Sequence, residues 1–327
     1  MKQEKAVKTM KILITGVAGF IGSHLAERLA DLGHKTVGID CFTDYYTPAL
    51  KRMNAEDVQR KGVRIYELDL AKDNLTSALA DVEFVYHLAA QPGISATTPF
   101  EEYIKNNVVA THRLIKACES LSSLRCFVNV STSSVYGKNA TDSEEAAPKP
   151  TSYYGVTKLA AEQLVLAFYR QKKLSACSLR IFSIYGPRER PDKLYHRLIR
   201  SILEDSPFPL YKGSEKHSRS YTFVDDVVDS FIAVLNNPDQ AIGEIFNIGS
   251  DIEMTTGEGI RIIENILGKQ ALKVIKPKRS GEQLRTCANI NKARSLLGYE
   301  PKTKLEEGLK AEVKWYKEKI FKIKNFK

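Results

Sequence analysis

The chain has 327 residues, 43% of them hydrophobic and 27% charged, with 49 basic residues against 39 acidic ones for a net charge of +10. That length and apolar content supply a large core, enough for one big α/β unit or two lobes. No apolar run approaches the ~20 residues that cross a bilayer, and the polar opening MKQEKAVKTM lacks the apolar centre of a signal peptide, so a soluble cytoplasmic protein with no membrane partner is expected.

The five cysteines, Cys41, Cys118, Cys126, Cys177 and Cys287, are odd in number, without close pairs or a nearby set of histidines. That argues against a disulfide framework and against a metal site. The positive excess raises the local concentration of anionic small molecules; it would tolerate nucleic acid, though no nucleic-acid partner is expected.

Lys11-Ile12-Leu13-Ile14-Thr15 is an apolar, β-branched run that ends in Gly16, Gly19 and Gly22, followed by the helical spacing Ile21, Leu25, Leu29. The pattern is a strand, a tight turn and a helix whose N-terminus faces a diphosphate: Gly16 allows the turn, Gly19 removes a blocking Cβ, and Gly22 lets the helix lie close to the strand. A second strand, Lys35 to Ile39, ends in Asp40, 18 residues beyond Gly22, where a carboxylate accepts from both hydroxyls of an adenosine ribose. Cys41 and Phe42 follow rather than a basic residue, so a 2′-phosphate would meet repulsion with nothing to neutralise it, and NAD is expected in preference to NADP.

A turn-rich segment that becomes helical leads to a third strand, Val63 to Leu68, ending in Asp69-Leu70. Asp69 either accepts from the adenine amino group or caps the helix that starts near Asn74. The fourth strand, Phe84 to Ala90, is apolar throughout, as a parallel strand covered on both faces should be. Its small end, Ala89-Ala90-Gln91-Pro92-Gly93, suits the path of a pyrophosphate and nicotinamide ribose. His87 has no acid partner identifiable from spacing and reads as a packed core histidine. Helical spacing then runs from Tyr103 to Glu119 and carries Asn107, which either bonds neighbouring backbone or faces water. A fifth strand, Arg125 to Val130, delivers the hydroxyl cluster Ser131-Thr132-Ser133-Ser134 at its carboxyl end, where open α/β sheets bind ligands. Thr151 to Lys158 opens an amphipathic helix through Tyr169. Tyr154 and Lys158, four apart, share one face, and an ammonium beside a phenol favours the phenolate, lowering its pKa toward the working pH.

The second half changes character. A sixth strand, Ser178 to Phe182, leads into the loop SIYGPRERPDK, a helix near Tyr195 to Leu203, the run RSYTFVDD, a helix to Leu235 and the segment Glu244 to Gly249. From Lys310 to Lys327 seven lysines alternate with Val313, Trp315, Tyr316, Ile320 and Phe321. A membrane-surface helix would read so, but a terminal helix with one face on the protein is favoured. With no repeat or low-complexity linker, the second lobe should pack against the first.

TGVAGFIG, Asp40, STSSVYG, YGVTK and RSYTFVDDV in one order closely resemble the extended short-chain dehydrogenase/reductase family, and within it the nucleotide-sugar epimerases and dehydratases. The resemblance runs from about Met10 to Leu309. It implies a Rossmann-type doubly wound parallel sheet with a smaller C-terminal α/β substrate domain, residues 10–180 holding NAD and residues 181–327 mainly holding a nucleotide sugar, with some segments returning to the first domain. It also implies a homodimer built through two helices per chain. On that likeness Thr132, Tyr154 and Lys158 match the catalytic Ser/Thr, Tyr and Lys. The cofactor set reads Gly16, Gly19, Phe20, Ile21, Gly22, Asp40, Asp69, Leu70, Ala89, Ala90, Gln91, Tyr154 and Lys158. The substrate set reads Ser133, Ser134, Ser183, Arg190, Arg219 and Glu282.

Sugar 4,6-dehydratases similar to this chain carry an Asp-Glu pair after the Thr132 position, and UDP-glucuronate decarboxylases a Glu at the second. Ser133 and Ser134 stand here instead, which favours simple epimerisation. The loop Tyr185 to Asp192, with GIDCFTDYYTPALK, looks most like UDP-glucuronate 4-epimerases, where neutral hydroxyls at Ser133 and Ser134 would hold the sugar carboxylate without repelling it. Many relatives have an Arg where this chain has Ser95, and Arg190 is the alternative group to gate the sugar. The other expectations are an epimerase of UDP-glucose or UDP-N-acetylglucosamine and, from another class, a non-catalytic NAD-binding regulator.

Overall fold

A computed structural model describes residues 9–93, 95, 97–278 and 283–322. Seven parallel strands form the central sheet: β1 (Lys11–Thr15), β2 (Lys35–Asp40), β3 (Arg64–Glu67), β4 (Phe84–His87), β5 (Cys126–Thr132), β6 (Ala176–Ile181) and β7 (Ile245–Ile248). Their spatial order is β7-β6-β5-β4-β1-β2-β3. Strand order reverses between β1 and β4, which opens a crevice at the carboxyl ends of those strands. Every residue of β4, β5 and β6 is buried, whereas the edge strand β3 keeps none fully buried. Helices on both faces explain the difference.

Alternation along β1 sends Ile12 and Ile14 to one face and Leu13 to the other. On the first face lie Leu25 and Leu29 of the Phe20–Asp31 helix and Phe231 of the Val224–Asn236 helix. The Tyr86 hydroxyl donates across that layer to the Phe231 carbonyl at 2.8 Å. The opposite face carries Leu114 and Val165, from the helical stretch 100–118 and the Tyr153–Arg170 helix.

Three features of this fold matter for the site. β5 runs on to Thr132, so Ser131 and Thr132 belong to the strand itself. β7 returns from the second half of the chain to pair with β6. The stretch 100–118 contains a π-helical segment, Ile104–Val109, a feature that accompanies functional sites. It turns Asn107 inward, where its Oδ1 accepts from the Gln91 N–H at 2.7 Å and its Nδ2 donates to Thr157 Oγ1 at 3.0 Å. His87 is a satisfied core residue, its two ring nitrogens 2.8 Å from Thr15 Oγ1 and Thr111 Oγ1. Burial, reinforced by the Lys158 charge, pulls its pKa down to about 3.

The second lobe packs Tyr185, Tyr195, Leu198, Phe208, Ile263, Leu309 and Val313 into its own core. A four-stranded sheet joins Met254–Thr255, Ser218–Arg219, Arg285–Thr286 and, from the first half of the chain, Asn139–Ala140. The terminal Leu305–Trp315 helix lays Leu309 and Val313 on this core, the plainer of the two readings of the lysine-rich end. Among the described residues no helix is long and apolar enough to cross a membrane.

Behind the cleft, Arg180 on β6 grips Glu162 with two hydrogen bonds, Nε to Oε2 at 3.0 Å and Nη2 to Oε1 at 2.7 Å, both side chains being buried. A buried ion pair of this kind is costly to break from one side, because the remaining charge loses its partner. Arg180→Met should therefore destabilise the protein by about 3–5 kcal/mol in urea unfolding, and a loss below about 1 kcal/mol would contradict this account of the pair.

Candidate active site

The crevice opens into a cleft of about 760 Å³ lined by residues of both lobes. At its floor, Gly16 has φ +72°, and a Cβ there would lie 2.9 Å from the Ala89 nitrogen. A Cβ on Gly22 would lie 2.2 Å from the Gly16 carbonyl oxygen, so the turn and the helix meet backbone to backbone. A Cβ on Gly19 would touch only that same oxygen, at 3.1 Å, and otherwise project into open space. The Phe20–Asp31 helix has no acidic residue in its first turn and no side-chain cap at Gly19. Its free N–H groups and positive end remain for an anion.

Asp40 ends β2 with both carboxylate oxygens fixed, Oδ2 accepting from Ala18 N–H at 3.0 Å and Oδ1 from Phe42 N–H at 2.9 Å. Burial pushes its carboxyl up, while those two bonds and Lys51 pull it down. Lys51 was not legible in the sequence. It lines the same cleft, held by the Thr43 carbonyl at 2.7 Å and hydroxyl at 2.8 Å. The expectation that no cation stands near Asp40 therefore needs correction. Asp69 does not cap the following helix: it closes the turn 69–73, with Oδ1 on the Ala71 N–H at 2.9 Å, and lines the cleft beside Leu70.

Phe20, Ile21, Ala89, Ala90 and Gln91 line the floor as well. Gln91 Nε2 and Ser131 Oγ are buried without a hydrogen-bond partner, on residues of the cleft wall. Unsatisfied polar atoms there, with the bare Gly19 cradle, the open helix end and the anchored carboxylate, fit a polar dinucleotide.

Above the floor, Thr132 at the end of β5 hydrogen-bonds the Tyr154 side chain, and its Oγ1 also accepts from the Ser134 N–H at 3.2 Å. Ser152 caps the Tyr153–Arg170 helix through the Gly155 N–H at 3.1 Å. A Cβ on Gly155 would sit 2.7 Å from the Ser134 carbonyl, so this helix rides directly on the strand end. Tyr154 and Lys158 both face the cleft. Burial pushes the Tyr154 phenol up, opposed by the Thr132 hydrogen bond and the Arg190 charge. Lys158 therefore does not by itself bring the phenol toward the working pH, contrary to the sequence expectation. Its own pKa is pulled down by burial to about 8, against the opposing charge of Glu162 one turn on.

Ser133, Ser134, Ser183, Arg190 and Arg219 all reach the cleft wall, while Glu282 lies outside the described residues. Arg190 stacks over the Tyr45 ring at 5.6 Å and pairs with Asp192 at 3.1 Å. Arg219 donates to the Gln283 carbonyl at 2.7 Å. Ser95 lines the cleft too, its hydroxyl accepting from Thr97 and Thr98 N–H groups. Lys193, Glu189 and Tyr195 complete the wall, and none of them carried a signal in the sequence beyond the general basic character of the loop.

A lysine whose folded pKa is depressed to about 8 from 10.5 loses stability as pH falls through the folded value and regains it fully only above the unfolded one. Lys158→Met should accordingly raise stability at pH 7 by roughly 1–3 kcal/mol. The advantage should shrink between pH 8 and 10.5, as unfolding followed across that range would show; a variant less stable than the parent at pH 7 would contradict it.

A model of the NAD dependent epimerase/dehydratase family matches residues 12–249. An uncharacterized UDP-glucose epimerase of Bacillus subtilis, YtcB, is 40% identical over 309 residues, covering 93% of this chain and 97% of that protein. UDP-glucuronate 4-epimerase 4 of Arabidopsis thaliana is 33% identical over 326 residues, covering 93% of this chain and 75% of that one. Among solved structures, UDP-glucuronic acid 4-epimerase from Bacillus cereus, in complex with UDP-glucuronic acid and NAD, matches with a TM-score of 0.89 at 38% identity over 94% of this chain and 99% of that one. With the glycine cradle, the anchored carboxylate and these likenesses together, the chain belongs to the NAD dependent epimerase/dehydratase family, and its cofactor is NAD.

Proposed function

We propose that the protein interconverts UDP-glucuronate and UDP-galacturonate by inverting carbon 4, working as a cytoplasmic homodimer. Residues 10–180 would serve as the cofactor-holding unit and most of 181–327 as the sugar-holding lobe. The observation that carries this reading is the meeting of Thr132, Tyr154 and Lys158 on one cleft wall beside Ser133 and Ser134. Those neutral hydroxyls occupy the place where the resemblance puts dehydratase and decarboxylase acids. The similarity to UDP-glucuronate 4-epimerases from two organisms supports the uronate. The name of the B. subtilis relative favours a second substrate, UDP-glucose.

When bound, NAD supplies a reversible hydride acceptor and a positive charge in the same cleft. Tyr154 Oη takes the proton from the C4 hydroxyl and hands it back to the oxygen of the C4 ketone after the sugar has turned. Thr132 Oγ1 shares that hydrogen bond and fixes the phenol's direction. Arg190 favours the phenolate that burial opposes, and Lys158 and the cofactor charge would add to that effect. Gly16, Gly19 and Gly22 with the first turn of the Phe20–Asp31 helix hold the pyrophosphate, and Asp40 the adenosine ribose. Ala89, Ala90, Gln91, Asp69 and Leu70 flank the cofactor's path. Ser133, Ser134 and Arg190 hold the sugar carboxylate away from a geometry that releases CO₂; Arg219, with Ser183 and Glu282, takes the nucleoside diphosphate.

Five free cysteines suit a reducing compartment. Phe100, Val109, Tyr153 and Val156 are exposed on two neighbouring helical stretches, the Phe100 and Tyr153 rings 4.9 Å apart. Such a patch suits a second copy of the chain.

NMR of the purified protein with each UDP-sugar should show UDP-galacturonate forming from UDP-glucuronate faster than any product from UDP-glucose; the opposite order would move the assignment to the second substrate. Tyr154→Phe should cut turnover by roughly 10²–10⁴-fold while substrate still binds, and full activity in that variant would remove the proton-transfer role. Val109→Asp with Val156→Asp should halve the mass seen by light scattering, whereas an unchanged mass would place the subunit contact elsewhere.

A further inference from the structure

Outside the Thr132, Tyr154 and Lys158 group lies a second set of buried ionisable side chains on the cleft wall. Glu189, in the loop after β6, faces Glu312 of the Leu305–Trp315 helix, close enough for one carboxyl group to hydrogen-bond the other when it carries a proton. Both are buried. Glu189 Oε2 also accepts from the His196 N–H at 3.3 Å, and Glu312 Oε2 from the Gly186 N–H at 3.1 Å. Two carboxylates cannot both stay ionised at such range without a large repulsion, so the pair retains a proton to make its own bond.

Glu189 has a second neighbour, on its cleft side. Lys193 Nζ lies 4.0 Å from Glu189 Oε1, and its side chain, 37% exposed, lines the cleft. The other groups facing the acid are Arg190 on its own loop and the Tyr195 and Tyr221 phenols. Lys193 in turn feels Arg190, Asp192 and Arg219. One lysine thus stands between a buried acid and the part of the cleft where an anionic ligand would meet Arg219.

We propose that Glu189 is a titrating counter-ion that competes with the anionic substrate for Lys193, the proton shared with Glu312 deciding which of the two the lysine serves. With Glu189 protonated, Lys193 keeps only Asp192 as an opposing carboxylate, turns its charge toward the cleft and attracts the nucleotide sugar. With Glu189 ionised, the 4.0 Å pair holds the lysine back and substrate binding weakens. Burial, its largest cause, pushes the Glu189 carboxyl up to about 7, and the same cause together with Glu189 itself pushes Glu312 well up. The exchange accordingly falls in the neutral range. Glu189 acts here as a positioning residue, not a catalytic one. The idea rests on the nucleotide-sugar reading of the cleft, and the test separates the two.

The test is the dissociation constant of UDP-glucuronate, whose own charge is constant above pH about 5, measured by calorimetry between pH 5.5 and 8.5. The NAD-loaded protein carries Tyr154→Phe so that the ligand is not consumed. The dissociation constant should rise about tenfold across the range, the size of a single partly desolvated charge contact. Adding Glu189→Gln should leave tight binding at every pH, and adding Lys193→Met should leave weak binding at every pH. Adding Glu312→Leu, which removes the hydrogen bond that favours ionised Glu189, should move the inflection to higher pH. A merely structural clasp between loop and helix would not move that inflection. A flat profile in the parent, or an unchanged profile after Glu189→Gln, overturns the proposal while the substrate reading stands. Failure of UDP-glucuronate to bind at any pH sinks the uronate reading, and this proposal with it.

Discussion

The Tyr153–Arg170 helix can reach the chemistry only because its first turn presses onto the end of β5. Gly155 is the point of contact, with no room for a side chain against the Ser134 carbonyl. From that approach follow the Thr132–Tyr154 hydrogen bond, the burial of Lys158 beneath the cleft and the placing of Glu162 opposite Arg180. Asn107 secures the other flank, tying Thr157 of the same helix to the Gln91 backbone. One helix thus registers Tyr154 and Lys158 against both the hydroxyl strand and the Gln91 backbone. Its position is over-determined, which is what precise catalytic geometry requires.

The electrostatics of the cleft oppose its own chemistry until the ligands supply charge. Burial raises the Tyr154 phenol and lowers Lys158, so neither group holds its charge cheaply. Arg190 and Arg219 bring fixed positive charge from the second lobe, while Lys51 lies beside Asp40. A dianionic diphosphate with a further carboxylate suits such a wall better than a neutral sugar does.

Much of this was legible in the sequence where one local pattern demanded one backbone solution. Gly16, Gly19 and Gly22 announced the turn, the cradle and the close helix, and Asp40 fell at the end of the second strand as its spacing required. The hydroxyls after β5 and the pairing of Tyr154 with Lys158 were readable for the same reason: strand ends and helix faces are periodic. What escaped was set by tertiary approach. Glu189 and Glu312 come from segments far apart in the chain, and no periodicity links them. Lys51 reaches the cleft from the helix Pro48–Arg60 by folding back onto the Thr43 carbonyl, which the letters around it do not reveal. The phenol's charge state was misjudged because spacing shows a neighbouring ammonium but not the desolvation that outweighs it.

The central claim is that carbon 4 gives up its hydrogen and recovers the same one, with Tyr154 moving only the oxygen-bound proton. UDP-glucuronate carrying deuterium on carbon 4, incubated with the protein in ordinary water and followed by NMR, tests it directly. Full retention of the label in the inverted product is predicted, and loss of the label to solvent would contradict the account.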